Sequence, residues 1–331
     1  MKADELLVTA GCFAAVAVLT AAAGLVLEWA RRRLAARLQS RTGPGPLQPL
    51  RDLLKLARKE TIVPDAAQQA IFMLMPIVAL AGVSATSLLV WGASVCPGLG
   101  FEGDLILILY LLVLPGVALA VGACASGNPL AAIGGARQMK LIVAALPPLI
   151  LAVATVLFRT ARPGGGLGQV SLALADILEA QRGSYWMLET GSVYDAAPRL
   201  PVLSASGFIA FMIAIISAHG LLGMRPFDCA DAGPEIAGGV YAEYGGPMLA
   251  VWMLVRMMML VTLSVFVATL FLGGGRTMAL PAAAAALGIA ATISLLAGVM
   301  ARVRIDQAVR FFWLDLGLLG LLALVLAVAG Y

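Results

Sequence analysis

Residues Met248–Leu272 read MLAVWMLVRMMMLVTLSVFVATLFL, an uninterrupted apolar stretch with one charged side chain, Arg256. A run of about 20 apolar residues is long enough for an α-helix to span a bilayer. Seven further stretches have the same character, so the sequence predicts an all-α polytopic membrane protein with about eight transmembrane helices. The predicted spans are Leu6–Leu27, Ala70–Gly92, Leu105–Ala125, Lys140–Phe158, Val202–Gly223, Met248–Leu272, Leu280–Met300 and Phe311–Gly330.

The composition of the whole chain agrees with this prediction. Of its 331 residues, 61% are hydrophobic and 12% are charged, against about half and about a quarter in typical soluble domains. A larger core does not explain this excess, because the buried fraction of a chain rises slowly with its length. The composition therefore excludes a soluble enzyme, a nucleic-acid-binding domain and a disordered chain. A β-barrel would need short alternating segments instead.

The distribution of basic residues predicts the orientation of the protein in the membrane. Fifteen of the 22 lysines and arginines fall in loops on one side, six fall on the other side, and Arg256 falls within a span. Because cytoplasmic loops carry an excess of lysine and arginine, the basic loops are predicted to be cytoplasmic and both termini to face outward. We expect a single membrane domain over residues 1–331, with membrane lipid around it and no nucleic-acid partner.

Two of the loops are too long to be simple connectors. The cytoplasmic loop 28–69 has Leu50, Leu53 and Leu54 at helical spacing and charged residues on another face, so we expect an amphipathic helix there. Asp52 and Lys55 have the spacing of a helical ion pair. An interfacial helix on anionic membrane lipid is one interpretation of this loop. In the outer loop 159–201 we expect a surface helix around residues 170–180.

The cytoplasmic loop 224–247 concentrates four carboxylates: Asp228, Asp231, Glu235 and Glu243. Because proline is tolerated only in the first turn of a helix, Pro234 predicts that a helix begins near Gly233. Two interpretations stay open. The carboxylates form salt bridges with the basic first loop, or they form a proton entry route or a contact with a docked redox subunit.

No sequence signature of a cofactor, a metal site or a catalytic residue is present. Cys12, Cys96, Cys124 and Cys229 form no CxxC pair. The single histidine, His219, lies near the inner end of a predicted span, where a structural role and a proton-relay role both stay open. The chain has no P-loop and no dinucleotide fingerprint.

Several loop motifs are nevertheless distinctive. They are Gln39–Pro44 (QSRTGP), Leu47–Leu56 (LQPLRDLLKL), Lys59-Glu60, Asn128–Arg137 (NPLAAIGGAR), Pro226–Asp228 (PFD), Glu243-Tyr244 and Met300–Asp306 (MARVRID). With these motifs the chain resembles the membrane component shared by respiratory complex I and group 4 membrane-bound [NiFe] hydrogenases. That component is subunit 1 of NADH–quinone oxidoreductase in the first, and formate hydrogenlyase subunit 4 in the second. The resemblance covers nearly the whole chain and keeps the order of the motifs.

The resemblance implies a complex I subunit 1-like fold in a prokaryotic inner membrane and a non-catalytic role as the anchor of a peripheral redox arm. The implied partners are a cluster-bearing small subunit, a hydrogenase large-subunit-like protein and antiporter-like membrane subunits. The [4Fe-4S] clusters and a NiFe centre would lie on those partners and not on this chain. The implied docking residues are Arg41, Gln48, Arg51, Asp52, Lys55, Lys59, Arg137, Arg302 and Arg304. The candidates for an ion path or for acidic-loop contacts are Asp228, Asp231, Glu235, Glu243, Tyr244, Arg256, His219 and Asp315.

Short spacing in the first loop favours the hydrogenase branch. Only Gly45 and Pro46 separate the Gly-Pro turn from the Leu-Gln-Pro segment, and Leu50–Asp52 and Ala301–Asp306 are similar to that branch. We therefore expect a membrane anchor that links electron transfer to proton or sodium translocation. The alternatives are a quinone-chamber subunit of an NADH-quinone oxidoreductase-like complex, a structural anchor without its own ion path, and a secondary transporter acting alone. No internal repeat supports the transporter.

The chain departs from the resembled family at five positions where that family carries glutamate. They are Arg31, Leu146, Leu221, Gly233 and Arg256. Each departure removes a protonatable group or reverses its charge. Because ionisable residues inside the membrane are costly and usually functional, their joint loss predicts altered or weak proton conduction. Arg256 is either a structurally paired arginine or a fixed positive charge on the ion path, and Asp315 is a candidate counter-ion.

Overall fold

The computed structural model describes residues 3–95, 101–161, 171–182, 184–186, 193–195, 200–273 and 279–330. Up to the outer loop, the helices are α1 (Ala3–Leu38), α2 (Gln48–Ala57), α3 (Gln69–Val95), α4 (Asp104–Ala125), α5 (Pro129–Thr160) and α6 (Leu174–Arg182). They are followed by the strands β1 (Ser184–Trp186) and β2 (Val193–Asp195) and a 3₁₀ turn, Pro201–Leu203. Then come α7 (Ala205–Leu221), α8 (Gly233–Ile236), a second 3₁₀ turn (Gly239–Tyr241), α9 (Gly246–Leu272) and α10 (Ala279–Val299). The last helix begins as α11 (Ile305–Arg310), passes through a π-helical segment (Phe311–Leu316) and continues as α12 (Gly317–Val328).

Eight apolar helices overlap the eight predicted spans, so the prediction of an all-α polytopic fold is confirmed. Six of them are long and apolar enough to cross a membrane, and α7 and α10 are shorter apolar helices. The prolines inside α3, α4 and α5 are tolerated because neighbouring helices satisfy the freed backbone groups. One feature was not predicted: β1 and β2 pair as a small antiparallel ribbon, with Tyr185 opposite Tyr194.

Two helices extend beyond their predicted spans on the cytoplasmic side. Helix α1 continues to Leu38, and Glu28 pairs with Arg31 and Arg32 within this extension. Such ion pairs, three or four residues apart, support a helix where it leaves the apolar region. Helix α5 begins at Pro129 because Asn128 caps it, its Oδ1 accepting from the Leu130 N–H at 2.8 Å.

Helix α9 is the central helix of the bundle. Nearly all of its apolar side chains are buried, whereas α1 and α12 lie at the periphery with much of their surface exposed. Arg256 lies in the cytoplasmic half of α9, and its side chain is half-buried. The fold therefore puts the one charged residue of the central helix next to the cytoplasmic loops.

The outer helix α6 packs one face firmly against the bundle. Leu174, Ile177 and Leu178 are buried, and the Gln181 amide donates to the Leu270 carbonyl of α9 at 2.6 Å. The Asp104 carboxylate accepts from the Leu174 N–H at 2.8 Å. The helix expected around residues 170–180 thus corresponds to a half-buried element, although residue 170 lies outside the described part.

Candidate functional site

The acidic loop, residues 224–247, folds across the cytoplasmic ends of α5 and α9. Its single-turn helix α8 begins at Gly233 with Pro234 in the first turn, as predicted from the proline. Asp228 and Asp231 precede this turn. The Val240 N–H donates to the Ala230 carbonyl at 3.4 Å and closes the loop on itself.

Asp228 is the most buried carboxylate of this loop. Its oxygen accepts from Arg302 at 2.8 Å, and Arg225 lies 3.7 Å away. Burial raises the pKa of Asp228 above its ordinary value, although both guanidinium groups act in the opposite direction. Asp228 thereby connects the acidic loop to the segment between α10 and α11.

Backbone contacts reinforce that connection. The Cys229 thiol donates to the Val303 carbonyl at 3.2 Å, and the Val303 N–H donates to the Pro226 carbonyl at 3.0 Å. Burial and the neighbouring Asp228 raise the pKa of Cys229 to about 11. The Met300–Asp306 and Pro226–Asp228 motifs, far apart in sequence, therefore form one contact.

The first turns of α5 hold the other side of the acidic loop. Arg137 donates to Glu235 at 2.6 Å, and the Asn128 amide donates to Glu243. At Gly134 a Cβ atom would lie 2.8 Å from the Val240 nitrogen, so only glycine allows the loop this close. Asn128 and Gly134 were not predicted as site residues, although the Asn128–Arg137 motif contained the signal for both.

Arg256 and Asp231 form an ion pair at the floor of the loop. Their closest nitrogen and oxygen atoms are 3.6 Å apart, and Arg256 also donates to the Gly223 carbonyl at 3.3 Å. Burial raises the pKa of Asp231, and Arg256 counteracts this rise. A small cavity of about 50 Å³, lined among others by Gln138 and Leu221, adjoins the pair. This volume has room for a few water molecules.

Two other ion-path candidates lie elsewhere. Asp315 is exposed in the π-helical segment, and the ion-pair partner that the described residues give Arg256 is Asp231. His219 is buried in α7, and its Nε2 is hydrogen-bonded to the Arg225 carbonyl. The proposed counter-ion role therefore falls to Asp231.

Tyr244 anchors the end of the acidic loop. Its ring stacks on Phe72 with centroids 4.2 Å apart, and its hydroxyl donates to the Phe72 carbonyl at 3.2 Å. Burial raises the pKa of Tyr244 to about 12. The hydroxyl therefore stays protonated at neutral pH, and its position indicates a structural role.

Helix α2 of the first loop is tied to α1 through Asp52. Arg32 donates to Asp52 at 2.7 Å, and Gln48 donates to the same carboxylate at 2.9 Å. Asp52 thus pairs with Arg32 and not with Lys55, because the extension of α1 brings Arg32 alongside α2. Arg31, at a position where the resembled family carries glutamate, pairs with Glu28.

The ion pairs of the acidic loop do not involve this first loop. Over the described residues, its partners are Arg137, Arg225, Arg256 and Arg302. The expected salt bridges to the basic first loop are therefore wrong. The reason is tertiary: α5, α9 and the α10–α11 segment surround the loop and supply the cations.

The predicted docking residues fall into two groups. Gln48, Asp52, Arg137 and Arg302 are held in contacts within the chain. The second group is exposed and makes no ion pair in the described part of the chain; we call it the cytoplasmic basic surface. It consists of Arg41, Arg51, Lys55, Lys59 and Arg304.

Comparison with known proteins extends the similarity to the whole chain. The family model described as NADH dehydrogenase matches residues 11–328. The NADH-quinone oxidoreductase membrane protein of Syntrophotalea carbinolica, its H component, is 32% identical and covers 94% of this chain and 92% of its own. The same component of Thermomicrobium roseum is 31% identical over 75% of this chain and 72% of its own.

One solved structure has a closely similar fold. It is a chain of the membrane-bound sulfane sulfur reductase, described as an archaeal respiratory membrane complex. The two chains are 25% identical, and the TM-score is 0.77 with 96% of this chain and 98% of the other covered.

Proposed function

Because the chain belongs to the NADH dehydrogenase family, we propose that it is the membrane anchor of a multi-subunit, hydrogenase-like redox complex. It is a multi-pass protein of the prokaryotic inner membrane and a membrane subunit of a redox complex. Its cytoplasmic loops dock the cluster-bearing small subunit and a hydrogenase large-subunit-like protein. The [4Fe-4S] clusters and the NiFe centre lie on those partners, and antiporter-like subunits lie beside it in the membrane.

The observation that carries the docking proposal is the exposed face of α2. Arg51 and Lys55 are exposed there beside Leu50 and Leu54, while Asp52 fixes the helix to α1. Exposed apolar residues mixed with unpaired cations are typical of a surface that another protein covers. A rigidly held helix also loses little conformational entropy when a partner binds.

Ion coupling is proposed to act through the acidic loop. The pair Arg256–Asp231 places a fixed positive charge beside a cavity of water size. Such a charge repels a transferring proton, and Leu146 and Leu221 supply no protonatable group nearby. We therefore infer that coupling to proton or sodium translocation uses movement of the ion-paired loop more than a continuous proton wire in this chain.

A quinone-chamber subunit is the second candidate, because curated relatives are named as components of NADH-quinone oxidoreductase. The cavity beside Arg256 weighs against it. Small-molecule sites usually enclose about 300–1,000 Å³, whereas this cavity has about 50 Å³. The solved relative is named a sulfane sulfur reductase, which is also compatible with a redox arm that does not use quinone.

Reversal of two charges on α2 tests the docking proposal. The variant Arg51→Glu/Lys55→Glu is compared with the charge-conserving Arg51→Lys/Lys55→Arg after gentle purification from the native membrane. Since like charges across an interface cost several kcal/mol, we expect at least about a ten-fold loss of co-purifying cluster proteins, nickel and iron in the reversed variant only.

Three results contradict the proposal. The wild-type chain purifies alone, the reversed variant keeps its partners in full, or NADH-oxidising subunits and bound quinone accompany the chain. The third result would establish the second candidate. Metal analysis and mass spectrometry of the same sample distinguish these outcomes.

A further inference from the structure

An open groove of about 640 Å³ lies on the side of the bundle between α5 and the start of the last helix. Lys140 of α5 and Arg310 of α11 both line it. Val143 and Trp313 line it further along the two helices. Because both helices leave the cytoplasmic loops here, the groove lies at the predicted cytoplasmic surface of the membrane.

The two cations of the groove are not neutralised within the chain. Lys140 and Arg310 are exposed, and neither makes an ion pair with any residue that the structure describes. Asp306 also lines the groove, one turn before Arg310, so the groove keeps a net positive charge. By contrast, Arg137, one turn before Lys140, pairs with Glu235.

The walls of the groove are apolar and exposed. Trp313 is 56% exposed and Val143 is 55% exposed. Leu314 and Leu318 continue the exposed apolar surface along the last helix. Tryptophan is enriched where a protein crosses from headgroups to hydrocarbon. The groove therefore combines two cations at one end with an apolar wall that runs into the membrane.

We propose that this groove is a binding site for an anionic phospholipid. Lys140 and Arg310 bind the phosphate, and an acyl chain packs against Val143 and Trp313. Basic pockets between transmembrane helices on the cytoplasmic side are suited to anionic lipid headgroups. The continuous apolar wall favours a lipid over a free phosphate. This site is separate from the cytoplasmic basic surface and does not depend on the docking proposal.

Native mass spectrometry of the purified full chain, with any accompanying subunits, tests the site. The probes are phosphatidylglycerol and cardiolipin, with phosphatidylcholine and inorganic phosphate as comparisons. The variant Lys140→Ala/Arg310→Ala should bind the anionic lipids about 30-fold more weakly, since each cation near anionic lipid contributes about five-fold. Lys140→Arg/Arg310→Lys should restore binding.

A second charge-matched control separates this site from the docking surface. The variant Arg51→Ala/Lys55→Ala removes the same charge from α2 and should leave lipid binding at the groove unchanged. Equal loss in both alanine variants would show unspecific attraction and overturn the proposal. Unchanged binding in the Lys140→Ala/Arg310→Ala variant would overturn it as well.

Photo-crosslinking in the native membrane shows what occupies the groove. A photoreactive amino acid at position 143 should give an adduct with the mass of a phospholipid. An adduct with another protein would show that a neighbouring subunit fills the groove and would overturn the proposal. Thermal unfolding of each variant checks that it is folded.

Discussion

At the scale of single residues, Asp228 shows how the acidic loop is stabilised. Its carboxylate is nearly buried and lies between Arg302 and Arg225. A buried charge is tolerated when it is paired, and removal of its partner leaves the cost of desolvation without compensation. The pair therefore holds the loop against the α10–α11 segment.

Removal of Arg302 should destabilise the protein. We expect Arg302→Gln to lower the free energy of unfolding by about 1–3 kcal/mol and the Tm by several degrees, because Asp228 keeps only the more distant Arg225. Arg304→Gln, which removes an exposed cation two residues away, is the control. Thermal unfolding in mild detergent gives the comparison, and adding Asp228→Asn should recover part of the loss. Strictly additive effects in this double-mutant cycle would refute the pairing.

The thiol of Cys229 should react slowly and with a steep dependence on pH. Its pKa of about 11 means that the protonated thiol dominates at neutral pH, and only the thiolate reacts. Below this pKa the rate should rise about ten-fold per pH unit. Maleimide labelling between pH 7 and 9 in a Cys12→Ser/Cys96→Ser background, read by intact mass, compares it with the exposed Cys124. Equally fast labelling of both cysteines at pH 7.5 would contradict the burial of Cys229.

At the scale of elements, the cytoplasmic half of α5 supports the acidic loop. Asn128 caps the helix and also contacts Glu243, and Arg137 pairs with Glu235 two to three turns later. Between them, Gly134 and Gly135 leave room for neighbouring backbone. One helical segment therefore sets both the position and the ion pairs of the loop.

A methyl group at Gly134 should push the loop away from α5. The Cβ of Gly134→Ala would lie 2.8 Å from the Val240 nitrogen and 3.0 Å from the Ala230 oxygen. Overpacking of this kind costs about 1–3 kcal/mol, so we expect a lower Tm and faster proteolysis within residues 224–247. The control is Gly288→Ala in α10, where nothing lies within 4 Å of the new atom. This substitution should be neutral or slightly stabilising, and equal effects at both positions would disprove the close approach.

At the scale of the whole molecule, eight spans put both termini on one side and all the proposed docking residues on the other. Helix α9 occupies the centre, so loops that contact its cytoplasmic end also contact one another. The acidic loop is the common neighbour of α5, α9 and the α10–α11 segment. Any subunit seated on these loops would bear on the ion pairs of Asp228, Asp231 and Glu235.

Labelling from one side of the membrane tests this orientation. In a cysteine-free background, Glu102→Cys should react with a membrane-impermeant maleimide in intact cells. Lys55→Cys should react only after the membrane is opened, since the basic loops are predicted to be cytoplasmic. Both positions are exposed, so a difference reports sidedness. The opposite pattern would invert the topology and with it the docking proposal.

Local sequence was sufficient to predict the number of apolar helices, their order and their orientation. These properties follow from local hydrophobicity and from the count of charges in each loop, which need no knowledge of distant contacts. The start of α8 at Gly233 was also local, because proline restricts the helix to begin there. The partners of the charged residues, by contrast, depend on tertiary packing. Asp52 pairs with Arg32, Asp231 with Arg256 and Asp228 with Arg302, because packing of α1, α9 and the α10–α11 segment places those cations nearest and excludes water around them.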